Sequence, residues 1–91
     1  MAEEIPPFEP RPDAYMYAQV ADHLALRIEK GRASERIADA LRPGARLPGE
    51  RDLAEEYGVS IVTARRAVRE LRERELVVTL PAKGTYVTEP D

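Results

Sequence analysis

The chain has 91 residues, 43% hydrophobic and 34% charged, which is enough for one domain with a modest core and too little for two. It has no Cys and a single His, His23, so disulfides, thiolate metal sites and a zinc site are excluded, and no cofactor or metal is expected. No apolar run reaches membrane-spanning length and no signal peptide opens the chain, so the formal net charge of −3 belongs to an expected cytoplasmic protein without a membrane partner.

Met1–Pro12 is rich in proline and acid, so residues 1–13 read as a flexible acidic arm. Asp13 can cap a first helix from about Ala14 to Lys30, along which Tyr17, Val20, Ala21, Leu24 and Ile28 keep helical period. Gly31 is expected just past its end. His23 lies one position off that stripe, where a partly exposed structural histidine outweighs a ligand or base. Across Arg32–Arg42 the spacing of Ile37, Ala38 and Leu41, with Ser34 as a cap, allows a short extra helix that Pro43-Gly44 would stop. Leu47 precedes a proline and is expected to be extended.

The stretch from Leu53 to Leu71, LAEEYGVSIVTARRAVREL, carries the most information. A helix over about Glu50–Tyr57 can start at Gly49 and end at Gly58, which tolerates positive φ. Val59 plugs the turn and Ser60 can cap the next helix, expected over 61–75. Ala64, Ala67, Val68 and Leu71 form its inward stripe at i, i+3, i+4 and i+7, leaving Ile61, Val62, Arg65, Arg66 and Arg69 outward. Small residues at Ala54 and Ala64 let two helices cross closely, as a helix-turn-helix requires. Tyr57–Arg74 holds five arginines against Glu70 and Glu73, whereas residues 1–14 are net acidic. Local field rather than total charge governs approach to phosphates, so the acidic total is no objection to DNA binding.

The period then changes. Leu76–Leu80 is apolar and β-branched, Pro81–Gly84 is turn material, and Thr85–Thr88 is a second strand. A hairpin directly after such a helix is a wing, and its tip combines a cation, Lys83, with Gly84, which permits close backbone approach. The expected fold class is mainly α with a small β-hairpin, a winged helix-turn-helix over 14–88 followed by a tail at 89–91.

These residues resemble the N-terminal DNA-binding domain of the GntR family of bacterial transcription regulators, nearest its HutC-like branch. The similarity spans about Tyr15–Val87 and rests on YMYAQVADHLALRI, Leu47-Pro48-x-Glu50-Arg51, Leu53-Ala54…Gly58-Val59-Ser60, Thr63-x-Arg65 and Gly84-Thr85-Tyr86-Val87. It implies sequence-specific binding of double-stranded operator DNA, with Arg51, Thr63, Arg65, Lys83 and Gly84 at the contact. The leading face adds Ser60, Ile61, Val62, Arg66 and Arg69. Arg65, one turn into its helix, can fork onto guanine O6 and N7, and Arg51 can hold phosphate or a base edge. The resemblance also implies a repressor that acts as a homodimer on palindromic sites, near the nucleoid.

Several positions depart from the family pattern. Ile61 stands where an arginine is usual, Gly49 replaces a capping serine, and Arg32–Leu41 lengthens a connection. Family members carry a C-terminal effector-binding domain, which is absent from these 91 residues, so this chain alone is expected to be a monomer. A rival reading, a winged helix used as a protein–protein module, is favoured only by Ile61-Val62. An enzyme would need a Cys, a His–carboxylate pair, a phosphate-binding loop or a metal cluster, and the sequence offers none.

Overall fold

The computed structural model describes residues 5–33 and 37–89. The elements are α1 (Met16–Ala33), α2 (Glu50–Tyr57), α3 (Ile61–Glu73), β1 (Val77–Leu80) and β2 (Gly84–Val87), a winged helix-turn-helix. Their order is as expected, with α3 two residues shorter than its expected span because Arg74 caps it and Glu75 turns to positive φ. Val20, Ala21, Leu24 and Ile28 of α1 meet Leu53, Ala54 and Tyr57 of α2 and Ala64, Ala67, Val68 and Leu71 of α3 in one core. Both inward stripes of the motif are therefore spent on each other and on α1.

The turn between α2 and α3 follows from its residues. Gly58 takes φ 66°. The Val59 N–H then donates to the Ala54 carbonyl at 2.9 Å and Gly58 N–H to that of Glu55 at 3.3 Å, the paired bonds of a Schellman ending. Ser60 is extended at φ −72°, ψ 159°, and its Oγ accepts from Thr63 N–H at 3.0 Å as the cap of α3. Gly49 opens α2 without a side-chain cap.

The wing has a third edge. β1 and β2 pair antiparallel, with Val77 opposite Val87 at the buried end. The extended Ala45–Leu47 segment lies along the other side of β2, where Leu47 N–H donates to Thr85 O and Val87 N–H to Ala45 O, each at 2.8 Å. Pro81 and Ala82 make the tip, Ala82 at φ 64° and Lys83 N–H donating to Leu80 O.

Three local expectations fail, all around α1. Asp13 does not cap it; Tyr15 O accepts from Ala18 and Gln19 N–H at the start of the helix, while Asp13 lies 3.6 Å from Arg11. Gly31 does not end α1 but sits buried inside it, against the returning chain, where a Cβ would collide with the Leu41 carbonyl oxygen. Among the described residues of the connection, 37–41, there is no helix; Asp39 takes φ 64° and Leu41 N–H donates to Arg27 O at 3.0 Å. Ser34, the expected cap, lies outside the described residues.

Beside this junction the Arg27 guanidinium is buried, donating from Nε to Asp39 O at 2.7 Å and from Nη1 to Glu56 Oε2 at 2.9 Å and Tyr57 Oη at 3.2 Å. His23 Nε2 is 2.7 Å from Pro6 O, which can only accept, so a neutral ring accepts from Tyr57 Oη at Nδ1, 2.7 Å away. Phe8 packs edge-on to Tyr57 and His23, and the Gln19 amide bonds the backbone of Arg11. Pro6, Phe8 and Arg11 of the arm thus contact α1 and α2. Burial pushes the Tyr57 phenol above its ordinary ionisation range, partly offset by Arg27.

Candidate nucleic-acid interface

The outward face of α3 is what its inward stripe leaves over. Val62, Arg65, Arg66 and Arg69 line one open groove together with Tyr17 from α1 and Arg72 from the last turn of α3. A depression beside it joins Arg51 of α2 to Ser60 and Ile61 across the Gly58 turn. On the other flank Arg46, Glu50, Arg72, Thr79, Gly84 and Thr85 line the cleft between α3 and the wing. Eight of the ten sequence-derived site residues thus fall on these three surfaces, and the other two are Thr63 and Lys83.

Lys83 stands exposed at the wing tip. Thr63 is half-buried and is occupied locally, accepting from Ser60 Oγ at 3.0 Å within the cap. Gly84 holds φ 127°, and a Cβ there would press on Arg46 Nε, so the glycine lets that arginine lie across the wing. Ile61 and Val62 expose 39% and 68% of their surfaces at the leading turn, where apolar contact with a partner is available.

The arginines differ in their present partners. Arg65 Nε donates to Glu50 Oε1 at 3.1 Å across two helices. Arg66 lies over the Tyr17 ring with its guanidinium carbon 4.1 Å from the centroid, a cation–π contact. Arg69 is 3.9 Å from Glu73 one turn on, and Arg72 Nη1 donates to Thr79 Oγ1 at 3.0 Å. Arg51 and Lys83 have no charged partner among the described residues. Exposed contacts of this kind contribute little and exchange readily, so these side chains are available to a phosphate or a base edge. Arg74 is different. It joins Asp22 on α1 to Glu70, each at 2.9 Å, and those bonds push its ionisation up, so one of the five arginines counted in the motif serves the fold.

Sequence reasoning overlooked Arg46, Arg72 and Tyr17. Arg72 was within reach, because it stands seven residues after Arg65 on the same side of the helix. Arg46 was not, since only the pairing of its segment with β2 brings it to the wing. Among the described residues no cluster of His, Cys, Asp or Glu could hold a metal ion, and no helix is long and apolar enough to cross a membrane.

Comparison with known proteins agrees with this geometry. The family described as bacterial regulatory proteins, gntR family, matches residues 16–87. The mannosyl-D-glycerate transport/metabolism system repressor MngR of Escherichia coli is 39% identical over 74 residues, which is 81% of this chain and 28% of that protein. The histidine utilization repressor of Klebsiella aerogenes is 42% identical over 62 residues, covering 67% of this chain and 26% of the relative. The chain therefore spans between a quarter and a third of the length of these relatives. Among solved structures, the DNA-binding domain of AraR in complex with operator ORX1 superposes with a TM-score of 0.71 over 96% of this chain and 100% of that one. At 24% identity this last likeness concerns the fold.

Proposed function

The chain belongs to the gntR family of bacterial regulatory proteins, DNA-binding regulators rather than enzymes, and we propose that this domain docks on double-stranded operator DNA and reads its sequence. In this reading α3 enters the major groove by its first two turns, and the wing lies on the adjacent groove or backbone. The observation that carries it is the outward face of α3 with Arg65, Arg66, Arg69 and Arg72 along one groove, flanked by Arg51 beside the turn and by Arg46 in the cleft next to the wing. An α-helix fits the major groove, and only the leading turns of one that enters end-on reach the base edges.

Within that surface the roles divide by position. Arg65 reads a guanine through O6 and N7. Arg51, Arg66, Arg69 and Lys83 hold phosphates, with Ser60, Thr63 and Gly84 at the same contact. Ile61 and Val62, exposed at the leading turn, meet apolar base edges such as a thymine methyl. The same pair is what a protein-docking winged helix would use, but the surrounding arginines support DNA.

The names of the two relatives support a repressor, and a DNA-binding regulator of a bacterial family would work in the cytoplasm. We further propose that the working regulator is a homodimer on a palindromic operator. This chain by itself is then a monomer with a weak hold on one half-site, because the apolar stripes of α1, α2 and α3 are consumed by a single core. Residues 14–88 are the DNA-binding unit in this reading, with residues 1–13 as an arm and 89–91 as a tail. Sequencing the duplexes that the chain selects from a random pool tests it. Enrichment of one short motif is expected, and a pool that stays random after repeated selection would refute it.

A further inference from the structure

The pair between Glu50 and Arg65 is unlike the others on this face. It joins two helices, and it is a hydrogen bond to Nε at 3.1 Å, whereas Arg69 and Glu73 stand 3.9 Å apart on one helix. A guanidinium offers two edges for bidentate bonding, Nε with one Nη or both Nη atoms together. With Nε engaged, only the end of the fork is open. Glu50 is itself well placed to hold it. It is the first residue of α2, where the free N–H groups and the helix dipole favour an anion, and it lines the cleft between α3 and the wing.

We propose that Glu50 is a positioning residue for sequence reading, which clamps Arg65 by Nε so that its two Nη groups are presented end-on to a base pair. This rests on the docking described above. The same carboxylate removes a unit of positive charge from the face that meets phosphate, so Arg65 is a poor general anchor and a good discriminator. Glu50 then lowers affinity for DNA of any sequence while sharpening preference at one base pair.

The test compares Glu50→Ala and Glu50→Gln with the unaltered chain on three duplexes: the selected site, that site changed at the base pair facing Arg65, and a random sequence. Both variants should bind the random duplex about two- to fivefold more tightly at low salt, because a charge that repels phosphate is gone. Glu50→Ala should lose roughly tenfold in discrimination at the one base pair. Glu50→Gln keeps an oxygen for Nε and should keep most of that discrimination. In an Arg65→Ala background, Glu50→Ala should leave base preference untouched. Full discrimination by Glu50→Ala, or a loss that persists without Arg65, would overturn the proposal. An unaltered chain that selects no site would instead overturn the functional reading itself.

Discussion

Arg27 and Arg65 mark two regions of the molecule that use the same side chain in opposite ways. The Arg27 side chain is 8% exposed at the junction of α1, α2 and the 37–41 connection, with three hydrogen-bond acceptors around it. Arg65 is 59% exposed on α3 and holds one carboxylate at the solvent-facing surface. A buried guanidinium has been taken out of water, and losing its partners leaves a large desolvation cost uncompensated. An exposed one is held only weakly and, as at Arg65, keeps its outer Nη atoms open to an incoming group, which is what a surface meant to meet DNA requires. The back of the domain is built to stay as it is, and the α3 face is built to exchange.

Breaking the first region should have the largest effect. Arg27→Leu removes the link from Asp39 O to Glu56 and Tyr57, and should destabilise the domain by about 2–4 kcal/mol, toward the lower part of the usual range because Glu56 is half exposed. Thermal unfolding should show a midpoint lower by roughly 10–25 °C, with DNA affinity of the folded protein unchanged. A shift within a degree or two would mean that the pair is as expendable as those on α3.

Gly31→Ala comes next, and its sign decides the matter. Alanine in an unobstructed helix would stabilise by up to about 1 kcal/mol. Here the new methyl meets the Leu41 carbonyl, so a loss of about 1–3 kcal/mol is expected in chemical denaturation. A more stable variant would show that α1 and the connection are not in the close contact described.

On the exchangeable face, Arg65→Ala and Arg69→Ala should leave the unfolding midpoint nearly in place. Arg65→Ala should cost about 1–3 kcal/mol on the selected site and relax preference at one base pair. Arg69→Ala should weaken selected and random duplexes alike. Competition titrations that gave the reverse pattern would exchange the two roles. The smallest effect belongs to the wing tip, where Ala82 holds φ 64° after Pro81, a position that glycine occupies without strain. Ala82→Gly should stabilise by up to about 1 kcal/mol and leave base preference alone; destabilisation would argue against that backbone.

The two regions were also unequally legible in the sequence. The α3 face could be read because its signals are local. Gly58, Ser60 and the spacing of Ala64, Ala67, Val68 and Leu71 lie within fourteen residues, and each acts on its immediate neighbours. The back region is built from contacts that skip along the chain. Arg27 stands seven residues after Val20 and three after Leu24, on the buried side of α1, but the acceptors that let a charge be buried there come from residues 12 to 30 positions away. Gly31 looked like a helix end because the chain that packs on it returns ten residues later. The contacts of Pro6 and Phe8 with His23 and Tyr57 were invisible for the same reason. Even on the legible face, the sequence supplied the arginines and not their partners, so the clamp of Glu50 on Arg65 appeared only in three dimensions.

The claim that the basic residues of the α3 face and its flanks meet DNA phosphates is tested most directly by titrating the chain against its selected duplex at 50 and 200 mM salt. With about four phosphates neutralised, affinity should fall on the order of a hundredfold between the two, although the chain carries a net charge of −3. Affinity that stayed level across that range would contradict the account.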